Sequence, residues 1–160
     1  MSKNDKNLYS RFWRWHFYAG LFCIPFAIWL SITGTIYLFK PQVETWLDRS
    51  LDNLTVSGTR ANPIDHINAA LKIVPGSVLH AYELPTSANS AVRVLLGKGS
   101  EVVRVYIHPQ TLEVLNVVKE DDRLMNVILH LHGELLLGDR GSMLMELAAS
   151  WLIVLVVTGL

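Results

Sequence analysis

The chain has 160 residues, 51% hydrophobic and 18% charged, with 14 Lys+Arg against 14 Asp+Glu and a formal net charge of zero. That balance gives no sign of a nucleic-acid partner, which would need a basic stripe. The lone cysteine, Cys23, excludes an internal disulfide or a thiolate metal cluster.

Residues 1–16 form a basic, aromatic N-terminus, with Lys3, Lys6, Arg11 and Arg14 ahead of the first apolar run. A basic flank marks the cytoplasmic side of a span, and Trp13, Trp15 and Tyr18 suit the interfacial aromatic belt. Residues 17–39, FYAGLFCIPFAIWLSITGTIYLF, are uncharged. They are long enough to cross a bilayer, since about 20 apolar residues suffice. The run is longer than the roughly 7–15 residues of a signal-peptide core, and no small-x-small cleavage site follows it, so it reads as a retained anchor. Pro25 marks a possible kink, while Gly20, Gly34, Ala19 and Ala27 would let a neighbouring helix approach. This orientation puts the N-terminus in the cytoplasm and the next segment on the far side, the periplasm of a Gram-negative cell.

Residues 40–120 read as a small α+β domain. A polar segment after Pro41 is expected to give a short juxtamembrane helix and a loop. Pro63 opens a helix at the position where proline fits. Ile64, Ile67, Leu71 and Val74 recur on it at helical spacing, and Pro75-Gly76 ends it. Four strands are expected, at 77–84, 91–96, 102–107 and 112–118, with turns at Lys98-Gly99-Ser100 and His108-Pro109-Gln110-Thr111. A helix packed on an antiparallel sheet is the economical solution for this pattern. His66, His80 and His108 are scattered over helix, strand and turn and read as solvated. A metal site would need three or four converging ligands.

Residues 121–141 carry a further amphipathic helix and turn. Leu124, Ile128, Leu131 and Leu135 share its stripe out to Leu137, and Gly138-Asp139-Arg140-Gly141 breaks it. Ser142 is the expected N-cap of a second span over 142–160. That run is short for a crossing and is still apolar at Leu160, so the chain is expected to be the N-terminal part of a longer membrane protein.

No nucleophile–base pair, phosphate loop or dinucleotide fingerprint is present. What stands out are histidines at the mouths of the two spans: His16 before the first, His130 and His132 before the second. Each has an ordinary reading as well, His16 as an interfacial anchor and His132 as a polar residue on an amphipathic helix.

Three segments then carry a resemblance. RWHFYAGLFCIPFAIWLSITGTIYLF resembles the first membrane helix of the PepSY-associated transmembrane family. VVRVYIHPQTLEVL resembles the closing hairpin of a PepSY domain, and LHGELLLGDRGSMLMELAASWLIVLVVTGL resembles the second membrane helix with its Thr-Gly exit. The hairpin departs from the usual Asp-Pro-x-Thr-Gly-Glu type of turn: His108 stands where an acidic residue is common and Leu112 where glycine is.

The resemblance implies a bacterial inner-membrane, multi-pass protein with an extracytoplasmic α+β PepSY domain between membrane helices, and further membrane helices beyond Leu160. Several members are haem-containing reductases of ferric siderophores, so it also implies haem b, an electron donor outside this sequence, and a ferric siderophore or other metal complex as acceptor. His16 and His132 match the haem-iron ligands, with His130 as second candidate and Arg140 as a partner for a haem propionate. A span of about 20 residues separates its ends by roughly 30 Å. His16 and His132 therefore belong to two haems, one per leaflet, each completed by a histidine from elsewhere. The competing reading is a membrane-anchored PepSY module without haem that binds or restrains a protein partner such as a peptidase.

Overall fold

The computed structural model describes residues 3–159, with side chains from Ser10 onward. The chain divides into two compact units, one of residues up to Phe39 together with those from Ile128, the other Lys40–Val127.

In the Lys40–Val127 unit, four strands form an antiparallel meander in the order β1-β2-β3-β4: β1 Val78–Glu83, β2 Val92–Lys98, β3 Glu101–Ile107 and β4 Val114–Lys119. The alternation along β2 and β3 decides the faces, because successive strand residues point to opposite sides. Val92, Val94 and Leu96 of β2 and Val103, Val105 and Ile107 of β3 lie on one face, buried with Ala70 of helix α3 (Pro63–Ile73). Each such side chain contributes roughly 1.5–3 kcal/mol relative to exposure. The other face carries Arg93, Arg104 and Tyr106, and Arg93 pairs across the strands with Tyr106. A short helix, α2 (Lys40–Leu47), and a 3-10 turn over Glu120–Asp122 complete the unit, into which the first turn of α4 (Leu124–Glu134) runs.

Two expectations are corrected here. The expected stripe of α3 packs on the sheet through Ile67, Leu71 and Val74, but Ile64 at its start is 59% exposed. His66 and Ala70 face the sheet instead, because a small residue is what lets the helix settle close. His66 is accordingly not solvated. It is fully buried, with Nε2 donating to the Pro109 carbonyl at 3.1 Å, while Nδ1 has no partner among the described residues.

The other unit is helical. α1 runs Lys3–Leu38 without interruption at Pro25, and α5 runs Asp139–Gly159 antiparallel to it. Both are long and apolar enough to cross a membrane. They meet where Cys23 and Ala148 are buried together, with the thiol 3.6 Å from the Ala148 carbonyl. Of the two glycines expected to admit a neighbour, Gly34 has the His132 ring against it, whereas Gly20 has no such contact among the described residues.

The helix expected to reach Leu137 stops at Glu134. Leu135, Leu136 and Gly138 adopt left-handed backbone conformations, with φ of 53°, 59° and 58°. Gly141 explains the sharp reversal: a Cβ there would fall 1.6 Å from the Glu134 carbonyl oxygen, so only glycine lets α5 start against the end of α4. Ser142 is consequently not the N-cap. It lies inside the first turn of α5, its N–H bonded to the Gly138 carbonyl.

Candidate functional site

The helical unit places His132 and His16 each against a neighbouring helix. His132 lies in the last turn of α4, and its Nδ1 is 2.8 Å from the Thr33 hydroxyl of α1. The ring lies over Gly34, where a Cβ would come within 3.3 Å of Cε1. The α4 end is pinned there by Trp29, whose indole N–H donates to the Leu131 carbonyl at 3.0 Å. That carbonyl is one of the last four of the helix and has no intrahelical partner.

His16 repeats the arrangement at the other end of the helix pair. Its Nδ1 is 3.4 Å from the Thr158 hydroxyl of α5, and a Cβ on Gly159 would stand 3.5 Å from Cε1 and Nε2. Beside His16 is an open, largely apolar cleft of about 730 Å³, lined by Phe12, Trp15, Ala19, Trp151 and Leu155 among others. Thr33 is 17 residues beyond His16 on the same helix, about 25 Å at 1.5 Å per residue. The two imidazoles therefore occupy separate sites.

His130 and His132 diverge as a helix demands. His130 Nδ1 is 3.2 Å from Glu134 Oε1, one turn along the same helix, whereas His132 alone turns toward Thr33. Arg140 is exposed in the first turn of α5. In neither site does Nε2 of His16 or His132 make a hydrogen bond among the described residues.

The residues that sequence reasoning missed are Thr33 and Thr158. The signal was there: the dipeptide Thr-Gly occurs at 33–34 and again at 158–159, and each copy faces one histidine.

The α+β unit holds a different cluster. Arg93 makes paired hydrogen bonds to Asp52 at 2.8 and 2.9 Å, and its guanidinium lies 5.5 Å from the Tyr106 ring. The Tyr106 hydroxyl donates to Asp48 at 3.0 Å and accepts from Arg123 at 2.6 Å. Burial pushes the phenol up to about 12; the Arg123 charge opposes this and Asp48 reinforces it. Arg104 binds Glu83 and, through two nitrogens, Glu120. Burial would raise the Glu120 carboxyl, but the Arg104 hydrogen bonds and the charges of Arg104 and Arg123 outweigh it and hold it below its ordinary value. Every charge in this cluster has a partner and the space beside it is small, about 90 Å³. It ties strands to flanking helices and offers no reactive group. No group of three or more metal-ligating side chains occurs among the described residues.

The sequence profile of the PepSY-associated TM region matches residues 13–160. The chain belongs to that family. No curated protein matches it. Family membership and the two long apolar helices make it a membrane protein. The match covers His16, His130, His132 and Arg140, both spans and the whole PepSY-like sheet between them.

The departure in the PepSY hairpin also has a structural account. Leu112, where glycine is common, has φ 63°, a conformation that glycine adopts without the steric penalty of a Cβ. His108 substitutes for an acidic residue as an acceptor: its Nδ1 receives the N–H groups of Gln110 and Thr111 at 3.2 and 3.1 Å. The turn histidine is thus a cap.

Proposed function

We propose that the chain is part of a haem-bearing electron carrier of the bacterial inner membrane, with its N-terminus cytoplasmic and its PepSY domain periplasmic. It would deliver reducing equivalents to a ferric complex such as a ferric siderophore during iron uptake. The observation that carries this reading is the repeated placement of His16 and His132 at opposite ends of the α1–α5 unit. Each is tethered through Nδ1 and leaves Nε2 without a hydrogen-bond partner among the described residues.

The residues fit haem b in three respects. Imidazole is the usual protein ligand of haem iron where electron transfer is the task. Gly34 and Gly159 keep methyl groups away from the two rings. The cleft beside His16 has the apolar lining and the size of a cofactor pocket, within the usual range of about 300–1,000 Å³.

Haem iron, when bound, supplies a one-electron couple. His16 and His132 would each offer Nε2 to hold one haem, with a second histidine for each drawn from outside the described residues, in further membrane helices or a second copy. Trp29 fixes the helix end that bears His132, and Trp15 and Trp151 give the cleft beside His16 an apolar lining. His130 is the second candidate ligand, and Arg140, free of carboxylate partners among the described residues, would suit a propionate through its forked donors.

The test is a reduced-minus-oxidised visible spectrum of membranes carrying the full-length protein, beside His16→Ala and His132→Ala. Sharp b-type bands, weakened in both variants, are the expected result. Absence of haem bands from well-expressed protein overturns the reading. It would favour the second one, a binding module for a protein partner such as a peptidase. That alternative draws on the exposed apolar side chains Val78 and Leu79 on the edge strand β1 and Leu84 just beyond it, which a partner strand or loop could cover.

A further inference from the structure

We propose that Thr33 and Thr158 are positioning residues that fix the tautomer of His132 and His16, so that Nε2 of each ring carries the lone pair needed to bind a metal. The part of this that concerns haem rests on the function proposed above.

The argument is an accounting of hydroxyl hydrogens. A threonine hydroxyl has one hydrogen and two lone pairs. The Thr33 oxygen lies 2.8 Å from the Trp29 carbonyl, one turn back on α1, and also 2.8 Å from His132 Nδ1. Two oxygens at that distance attract only if a hydrogen lies between them, and the carbonyl has none to give. The hydroxyl hydrogen is therefore committed to Trp29. The remaining contact is favourable only if His132 Nδ1 carries a hydrogen and donates it to Thr33. A neutral imidazole protonated at Nδ1 is unprotonated at Nε2.

The same accounting holds at the other end. Thr158 donates to the Val154 carbonyl at 2.7 Å, which leaves its oxygen to accept from His16 Nδ1 at 3.4 Å. Inside a span, bonding to the carbonyl four residues back is the ordinary resting place of such a hydroxyl. The sequence exploits it by turning a donor–acceptor group into a pure acceptor. Glycine follows each threonine, so each ring can lie against the helix that holds its tether. A ligand imidazole that donates its second N–H to an oxygen is fixed in orientation and made more basic.

The two sites differ in grip. At 2.8 Å the His132 bond is well formed, whereas 3.4 Å is long for N–H···O. Loss of Thr33 is therefore expected to matter more than loss of Thr158, and this gives the proposal an internal control.

The experiment compares full-length wild type with Thr33→Val, Thr33→Ser and Thr158→Val. It has two readouts: imidazole ¹⁵N shifts of the haem-free, ¹⁵N-histidine-labelled protein in micelles, and potentiometric titration after loading with haemin. In the wild type, His132 and His16 should show the Nδ1–H tautomer. Thr33→Val should move His132 toward the Nε2–H form, weaken haem retention at one site about tenfold, and raise the midpoint potential of that haem alone. The potential rises because a less basic imidazole stabilises ferric iron less. Thr33→Ser should restore all three properties, and Thr158→Val should give the smaller change at the other site.

A Thr33→Val protein with the wild-type tautomer and potential overturns the proposal, as does Nε2–H at His132 in the wild type. Should Thr33→Val fail to fold, the wild-type tautomer and the Ser and Thr158→Val variants still decide it. Wild type that shows Nδ1–H at both histidines but takes up no haemin overturns the haem reading alone.

Discussion

In the α+β unit Val94, Leu96 and Val105 are fully buried while Lys119 and Glu101 pair at the surface. In the helical unit Ile153 and Val157 are about two-thirds exposed, and among the most buried side chains is the hydroxyl-bearing Thr33 at 3%. Only 11% and 17% of the apolar windows of α1 and α5 are buried. The comparison shows two solvents at work on one chain. A unit folded in water hides its apolar groups. A unit folded in hydrocarbon gains nothing by hiding them and must instead satisfy its polar groups internally. Ser31, Thr33, Thr35, Ser150 and Thr158 do so by donating to the carbonyl one turn back. What holds the helical unit together is therefore close approach and specific polar contact, while the other unit is held by packed volume.

That contrast can be broken at points where the two mechanisms are concentrated. The largest effect is expected from Gly141→Ala. Its Cβ would meet the Glu134 carbonyl oxygen at 1.6 Å, so the α4–α5 reversal must open, at a cost on the order of 4 kcal/mol. Hydrogen exchange of the protein in micelles should show lost protection in 128–145 with β2 and β3 unchanged. Next comes Leu96→Ala, which leaves a cavity in the sheet core and should lower the stability of the α+β unit by about 3 kcal/mol. Denaturant titration in micelles, read at the amides of β2 and β3, measures it. Val157→Ala, a truncation of similar kind on an exposed helix face, should leave both units unchanged.

A smaller effect concerns acid. Because Glu120 is held below its ordinary value of 4.5, the stability it contributes is fully present above about pH 4.5 and is lost as pH falls through its lowered value. Unfolding of the α+β unit between pH 6 and pH 3 should show this loss, and Glu120→Gln should flatten it. A pH profile unaltered by Glu120→Gln would show that other carboxylates dominate. The smallest effect runs the other way: Leu112→Gly should stabilise the hairpin by about 1 kcal/mol, because a left-handed position penalises a Cβ by roughly that much. A raised melting temperature confined to the α+β unit checks it.

Much of the α+β unit was legible because strand alternation is a local signal. The four strands fall within a few residues of their expected places, and Arg93, Arg104 and Tyr106 alternate with the apolar residues that face α3. The stripe of α3 was legible at Ile67, Leu71 and Val74, but the complete burial of Ala70 and His66 was not: they are chosen by closeness of approach, and no apolar count ranks them above Ile64. At the candidate site, His16 and His132 could be picked out by position and resemblance. Their partners could not, because Thr33 and Thr158 lie 99 and 142 residues from the histidines they face.

By itself, then, the amino-acid sequence determined which segments are helix, strand or span, which family the chain resembles, and that His16 and His132 lie at opposite ends of a span. These follow from periodicity, length and helical rise, all of which act between near neighbours. Tertiary structure decided which ring nitrogen is tethered, why Gly141 must be glycine, and where His66 hides. Those depend on distances between atoms far apart in the chain, and folding alone brings such atoms together.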